Sequence, residues 1–126
     1  MNKIDLSSFK GLYLQTSRDY INKLRQALEI LSKDPQNYDA INAIHISSHS
    51  LTTQAAVTGY KNIERLCRII ERTFKRIKEE KSKAQPELLT LLKDAIKSLA
   101  GCIDSIEKND KEIDLSDITQ LFFERS

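Results

Sequence analysis

Apolar side chains recur along this chain at spacings of three and four, the pattern of helices that bury one face. The first run extends from about Leu6 to Ser32, with Tyr13, Ile21, Leu24, Leu28 and Leu31 as its core stripe and Leu14 and Tyr20 on the flanks. Asp34-Pro35 ends it, because a residue that precedes proline avoids the α region. A second run, Tyr38 to Thr58, closes on Gly59, which is placed as a left-handed stop. The third, Tyr60 to Lys81, turns Ile63, Leu66, Ile70, Phe74 and Ile77 inward. Pro86 suits the first turn of a fourth helix, where its missing N–H costs nothing. That helix continues to about Lys108 through Leu88, Leu92, Ala95, Leu99, Cys102, Ile103 and Ile106. Beyond it Asp114 and Asp117 have the spacing of a capping box ahead of an apolar patch of Ile118, Leu121 and Phe122.

Glycine occurs 3 times and proline twice, too sparsely for a chain of β hairpins. Helices about 30 Å long joined by short turns predict an all-α protein, an antiparallel up-down-up-down four-helix bundle with room for a short fifth C-terminal helix. The 126 residues fit one domain with one core.

Charge narrows the functional classes. The 20 Lys and Arg against 18 Asp and Glu leave a net +2, without the strongly basic face expected of a nucleic-acid binder. The basic run from Arg72 to Lys83 is interrupted by Glu79 and Glu80 and reads as a solvated helix face. No stretch approaches the roughly 20 apolar residues that span a bilayer, and Asp5 interrupts what a signal peptide would need as an apolar run. A cytoplasmic chain, with no membrane and no nucleic acid as partner, is therefore expected. Cys67 and Cys102 sit at apolar helical positions and read as buried thiols in a reducing compartment, and no metal site is expected of them.

The second helix carries the candidate chemistry. Ile41, Ile44, Ser48, Leu51 and Ala55 define its buried stripe. At about 100° per residue, His49 points more than about 90° away from that stripe and toward solvent. Asn42, His45, Ile46, Thr53 and Ala56 share its face, most of them short, so the imidazole is a reachable nucleophile. By pattern alone an exposed histidine is more often an ordinary surface residue than a functional one.

The segment INAIHISSHSLTTQAAVTGY, residues 41–60, is more specific. It resembles the phosphotransfer motif of the histidine-phosphotransfer (HPt) family, and within it the N-terminal phosphotransfer domain of the chemotaxis kinase CheA. Asn42, Ile44, His49, Leu51, Ala55, Gly59 and the aromatic Tyr60 match that motif in register. The opening DLSSFKGLYLQTSRDYINKLRQALEIL is similar to the family's first helix, and KDPQNYDAIN to its first turn. The resemblance implies that His49 accepts a phosphoryl group from a histidine kinase catalytic domain and passes it to a response-regulator receiver domain. It also implies that Glu71, on the third helix, accepts a hydrogen bond from that imidazole. Glu71 lies about 90° from the centre of its own helix's buried stripe, at the rim of the bundle. By this reading the domain holds no cofactor and catalyses nothing alone; ATP and Mg²⁺ belong to the partner domains. A further implication is that the chain is the first domain of a longer kinase.

The chain departs from the motif at two places. Thr52 stands where the family has a lysine near the phosphoryl group, and Thr53 where it has a glycine that lets a partner approach. Thr52 keeps a hydroxyl donor without the charge, and Thr53 adds a branched side chain to the docking face. Arg68 and Lys75 are the candidates to restore positive charge, and Ile46 and Ala56 suit an apolar docking patch beside His49. Three other readings stay open. One is a degenerate bundle of the same family that binds a partner without accepting phosphate. Another is a metal held by His45 and His49 at a spacing of four. The last is a plain structural bundle in which Glu71 pairs with Lys75 and the nearby arginines are solvated.

Overall fold

The computed structural model describes residues 6–125, with side chains from Phe9 onward. Asp5, used above to argue against a signal peptide, lies outside the described residues. Five helices follow one another: α1 (Leu6–Lys33), α2 (Tyr38–Thr58), α3 (Lys61–Glu80), α4 (Pro86–Asn109) and α5 (Ser116–Arg125). The all-α bundle is as expected, and each long helix begins and ends within a residue or two of its predicted bounds. No helix among the described residues is long and apolar enough to cross a membrane.

The boundaries have local causes. The Asn37 side chain accepts from the Ala40 N–H at 2.9 Å and starts α2. Gly59, at φ 85°, ends it, with its own N–H on the Ala55 carbonyl. Only glycine reaches that conformation without strain, so just two residues, Gly59 and Tyr60, separate α2 from α3. Tyr60 offers α3 no side-chain cap. Glu112, from the α4–α5 connection, supplies one: its carboxylate accepts from the Asn62 N–H at 3.2 Å and the Ile63 N–H at 2.8 Å. At the other end of the bundle the Ala84 N–H donates to the Pro35 carbonyl at 2.9 Å, tying the α1–α2 and α3–α4 turns together.

α1 packs against α2 and α4, α2 against α3, and α5 lies over both α3 and α4. Leu24, Leu31, Ile44, Leu51, Ile63, Leu66, Ile70, Phe74, Leu92 and Leu99 are fully buried between them. Each contributes about 1.5–3 kcal/mol relative to an exposed position. Two expected core positions differ. Leu28 is only partly buried, because Ala27 takes the inward place in that turn and Leu28 lines a groove between α1 and α4. Phe122 of α5 is fully buried and Leu115, the residue just before the helix, nearly so, whereas Leu121 is 48% exposed. The short helix presents one apolar row to α3 and α4, and Leu121 falls outside it. Asp114 lies one residue outside the α5 cap position and accepts from the Ser116 N–H at 2.8 Å.

Candidate functional site

α2 and α3 form a tight antiparallel hairpin, and the polar residues along its outer rim meet in pairs. The His49 side chain is 63% exposed, and its Nδ1 lies 2.8 Å from Glu71 Oε2. A carboxylate can only accept, so Nδ1 carries the proton and the Nε2 lone pair is free. Among the described residues Nε2 makes no hydrogen bond, and it sits on the outward side of the ring. Glu71 itself is 19% exposed, held against the hairpin while the imidazole it steadies faces solvent.

One turn earlier, His45 has the opposite kind of partner. Lys78 Nζ lies 2.8 Å from His45 Nδ1 and donates also to Asn42 Oδ1 at 3.1 Å. An ammonium has donors only, so His45 Nδ1 accepts and its proton resides on Nε2. Partial burial first, and then the Lys78 ammonium, push the His45 pKa below its ordinary value. Glu71 opposes them, and Lys75 and His49 add to the lowering. His45 therefore stays neutral at physiological pH.

Of the other residues singled out by sequence, Ile46, Thr53 and Ala56 are exposed on the His49 face of α2, Ile46 at 53%. Thr53 donates its hydroxyl to the His49 carbonyl at 3.1 Å. Thr52 does not belong with them. It is 4% exposed, and its hydroxyl donates to the Ser48 carbonyl at 2.8 Å. α2 is wedged between α1 and α3, so its buried arc is wider than its apolar stripe and takes in Ser47 and Thr52 as well. Serine and threonine tolerate that burial by bonding their own helix backbone. Thr52 is thus neither a docking residue nor a donor toward His49. Arg68 is on the rim, but its guanidinium is engaged by Glu64 at 2.7 Å, one turn away on α3. Lys78 was not singled out from sequence. The signal was available, since it lies two turns beyond Glu71 on one face of α3, but reading it required the register of α3 against α2.

The remaining chemistry is muted. Cys67 and Cys102 are free and buried, and burial pushes both thiols up, so neither is a thiolate. Among the described residues no group of three or more His, Cys, Asp or Glu side chains is placed to hold a metal ion. His45 and His49 instead point their Nδ1 atoms at an ammonium and a carboxylate. What the rim can do is present one imidazole nitrogen as a nucleophile, with the other nitrogen fixed by a carboxylate that stabilises positive charge on the ring.

The family model described as Hpt domain matches residues 8–102. Over 117 residues the chain is 21% identical to the chemotaxis protein CheA of Bacillus subtilis (strain 168), covering 92% of this chain and 17% of that protein. The chain thus spans less than a fifth of the length of this curated relative. Among solved structures, the CheA phosphotransferase domain from Thermotoga maritima superposes with a TM-score of 0.76 at 21% identity, over 80% of this chain and 96% of that one. At that identity the likeness is one of fold.

Proposed function

Because the chain belongs to the Hpt domain family, we propose that it carries a phosphoryl group on His49 Nε2 from a histidine kinase catalytic domain to an aspartate of a response-regulator receiver domain. The observation that carries this reading is the 2.8 Å contact between Nδ1 of an exposed His49 and the Glu71 carboxylate. The Nε2 lone pair attacks the γ-phosphorus of ATP, the bond to the β–γ bridging oxygen breaks, and ADP leaves with that electron pair. The ring, now bonded to phosphorus at Nε2 and still protonated at Nδ1, bears a positive charge that faces Glu71. In the second step a receiver carboxylate oxygen attacks the same phosphorus, the P–N bond breaks, and the neutral imidazole is restored. Mg²⁺ and the nucleotide sit on the partner domains, and the carrier supplies a nucleophile that two partners reach in turn. A carrier that works with ATP-dependent partners fits a cytoplasmic location. The likeness to CheA supports a chemotaxis-type pathway, in which this single domain serves as the phosphotransfer part of a larger kinase.

The test is incubation with γ-labelled ATP and a CheA-type catalytic core, wild type beside His49→Gln, followed by addition of a receiver domain. Acid-labile, base-stable label is expected on wild type, absent from the variant, and lost to the receiver. Wild type that takes no label would overturn the proposal in favour of a bundle that binds without accepting phosphate.

A further inference from the structure

Two imidazoles stand one turn apart on the same face of α2 with opposite proton arrangements, and only one of them is used by the mechanism above. Residues four apart on a helix have Cβ atoms about 5–6 Å from each other. Both rings turn Nδ1 toward α3, His49 to Glu71 and His45 to Lys78, so both Nε2 atoms face outward. His49 presents a lone pair there and His45 an N–H.

A phosphoryl group on His49 brings three anionic oxygens into the space over this row, and they need donors. Two of the side chains that the sequence put forward near this group are engaged elsewhere: the Thr52 hydroxyl on the Ser48 carbonyl, the Arg68 guanidinium on Glu64. We propose that His45 is the phosphoryl-binding donor of this domain, its Nε2–H bonding an oxygen of the group carried on His49, and that Lys78 is the positioning residue that fixes this tautomer. Asn42 holds the Lys78 ammonium from the other side. Lys75, exposed on the same face of α3, adds positive charge without a fixed partner among the described residues.

The same arrangement selects the acceptor. A proton on Nε2 leaves His45 without a lone pair at the atom a kinase would reach, and its Nδ1 lone pair is occupied by Lys78. No bond to phosphorus forms at His45; it contributes a hydrogen bond only. The depressed pKa of His45 fits this role, since protonation at Nδ1 would abolish its hydrogen bond from Lys78.

The inference rests on the carrier reading, and the experiment separates the two. In the free protein, ¹⁵N NMR of the imidazoles is expected to show His45 protonated at Nε2 and His49 at Nδ1. On phosphorylation by the kinase core, the His45 Nε2–H resonance moves downfield. His45→Phe, which keeps a flat ring without nitrogen, still accepts label on His49 but does so about tenfold more slowly, the loss of one hydrogen bond to a charged group. His45→Gln, which retains an N–H donor, recovers part of the rate. Lys78→Met leaves the helix content intact and gives a mixture of His45 tautomers with an intermediate rate. A His45 proton found on Nδ1 in the free protein overturns the inference without any kinase. So does a wild-type labelling rate in His45→Phe with an unmoved His45 resonance, and in that case the carrier function stands. A wild type without label removes both.

Discussion

Two seams of this bundle are built by opposite rules. Where α3 meets α4, the gap is filled: α5 lies across it, with Phe122 fully buried and Leu115 beside it. Where α2 meets α3, the outer rim is left open and lined with polar side chains that pair across it, His49 with Glu71 and His45 with Lys78. The first seam removes apolar surface from water, the main source of stability in a small domain. The second adds less, since each hydrogen bond between a neutral imidazole and a charged side chain on an open, solvated rim is largely exchanged for one with water. What it gives is orientation. α3 serves both, its apolar row facing the core and its polar edge facing α2, so stability and chemistry are assigned to different faces of one helix.

That division can be broken at either seam. The largest effect is expected from Phe122→Ala, a loss of about 3–5 kcal/mol in urea unfolding. The labelling rate of the protein that remains folded should hardly change; a matching fall in that rate would show that the seams are coupled. Next comes Glu71→Ala, which should slow labelling of His49 by about ten- to a hundredfold through the loss of a charged hydrogen bond worth about 1.5–3 kcal/mol. Its unfolding midpoint should stay close to wild type. Glu112→Ala leaves the α3 N-terminus uncapped and should lower stability by about 0.5–2 kcal/mol, with labelling unaffected. The smallest effect concerns acid. The folded His45 resists protonation, so the unfolded chain takes up its proton first. Stability is complete above about pH 6.5 and declines as pH falls below that toward the folded value. Urea unfolding at pH 8 and pH 5 should show this loss, and His45→Phe should make it smaller, with carboxylate titration common to both proteins.

The helices were legible because their causes are local. Apolar spacing, Pro35, Gly59 and Pro86 act within a few residues, and no partner strand is needed to complete a helix. The outward direction of His49 followed from the same rotation arithmetic. Its partner did not, since Glu71 entered through resemblance to a family and nothing in the spacing of one helix says which carboxylate lies across from it. Thr52 was misplaced for a physical reason: a stripe drawn through apolar residues underestimates the buried arc of a helix packed on two sides. Hydroxyls that bond their own backbone are hidden at positions that look polar. Leu28 and Leu121 failed the other way, as apolar side chains in turns where a neighbour already fills the interior. Lys78 was invisible without the inter-helix register.

That register has a simple origin in the bend at Gly59. His49 lies about ten residues before the bend and Glu71 about as many beyond it, so each stands roughly 15 Å along its helix from the same corner. Two side chains that share a height in this way behave like opposite rungs measured from a fixed hinge, and the sequence separation of 22 is a length rather than a motif. Lengthening the corner by a single residue would lift every rung of α3 past its counterpart and rotate it by about 100°, carrying the carboxylate and the ammonium away from their imidazoles together.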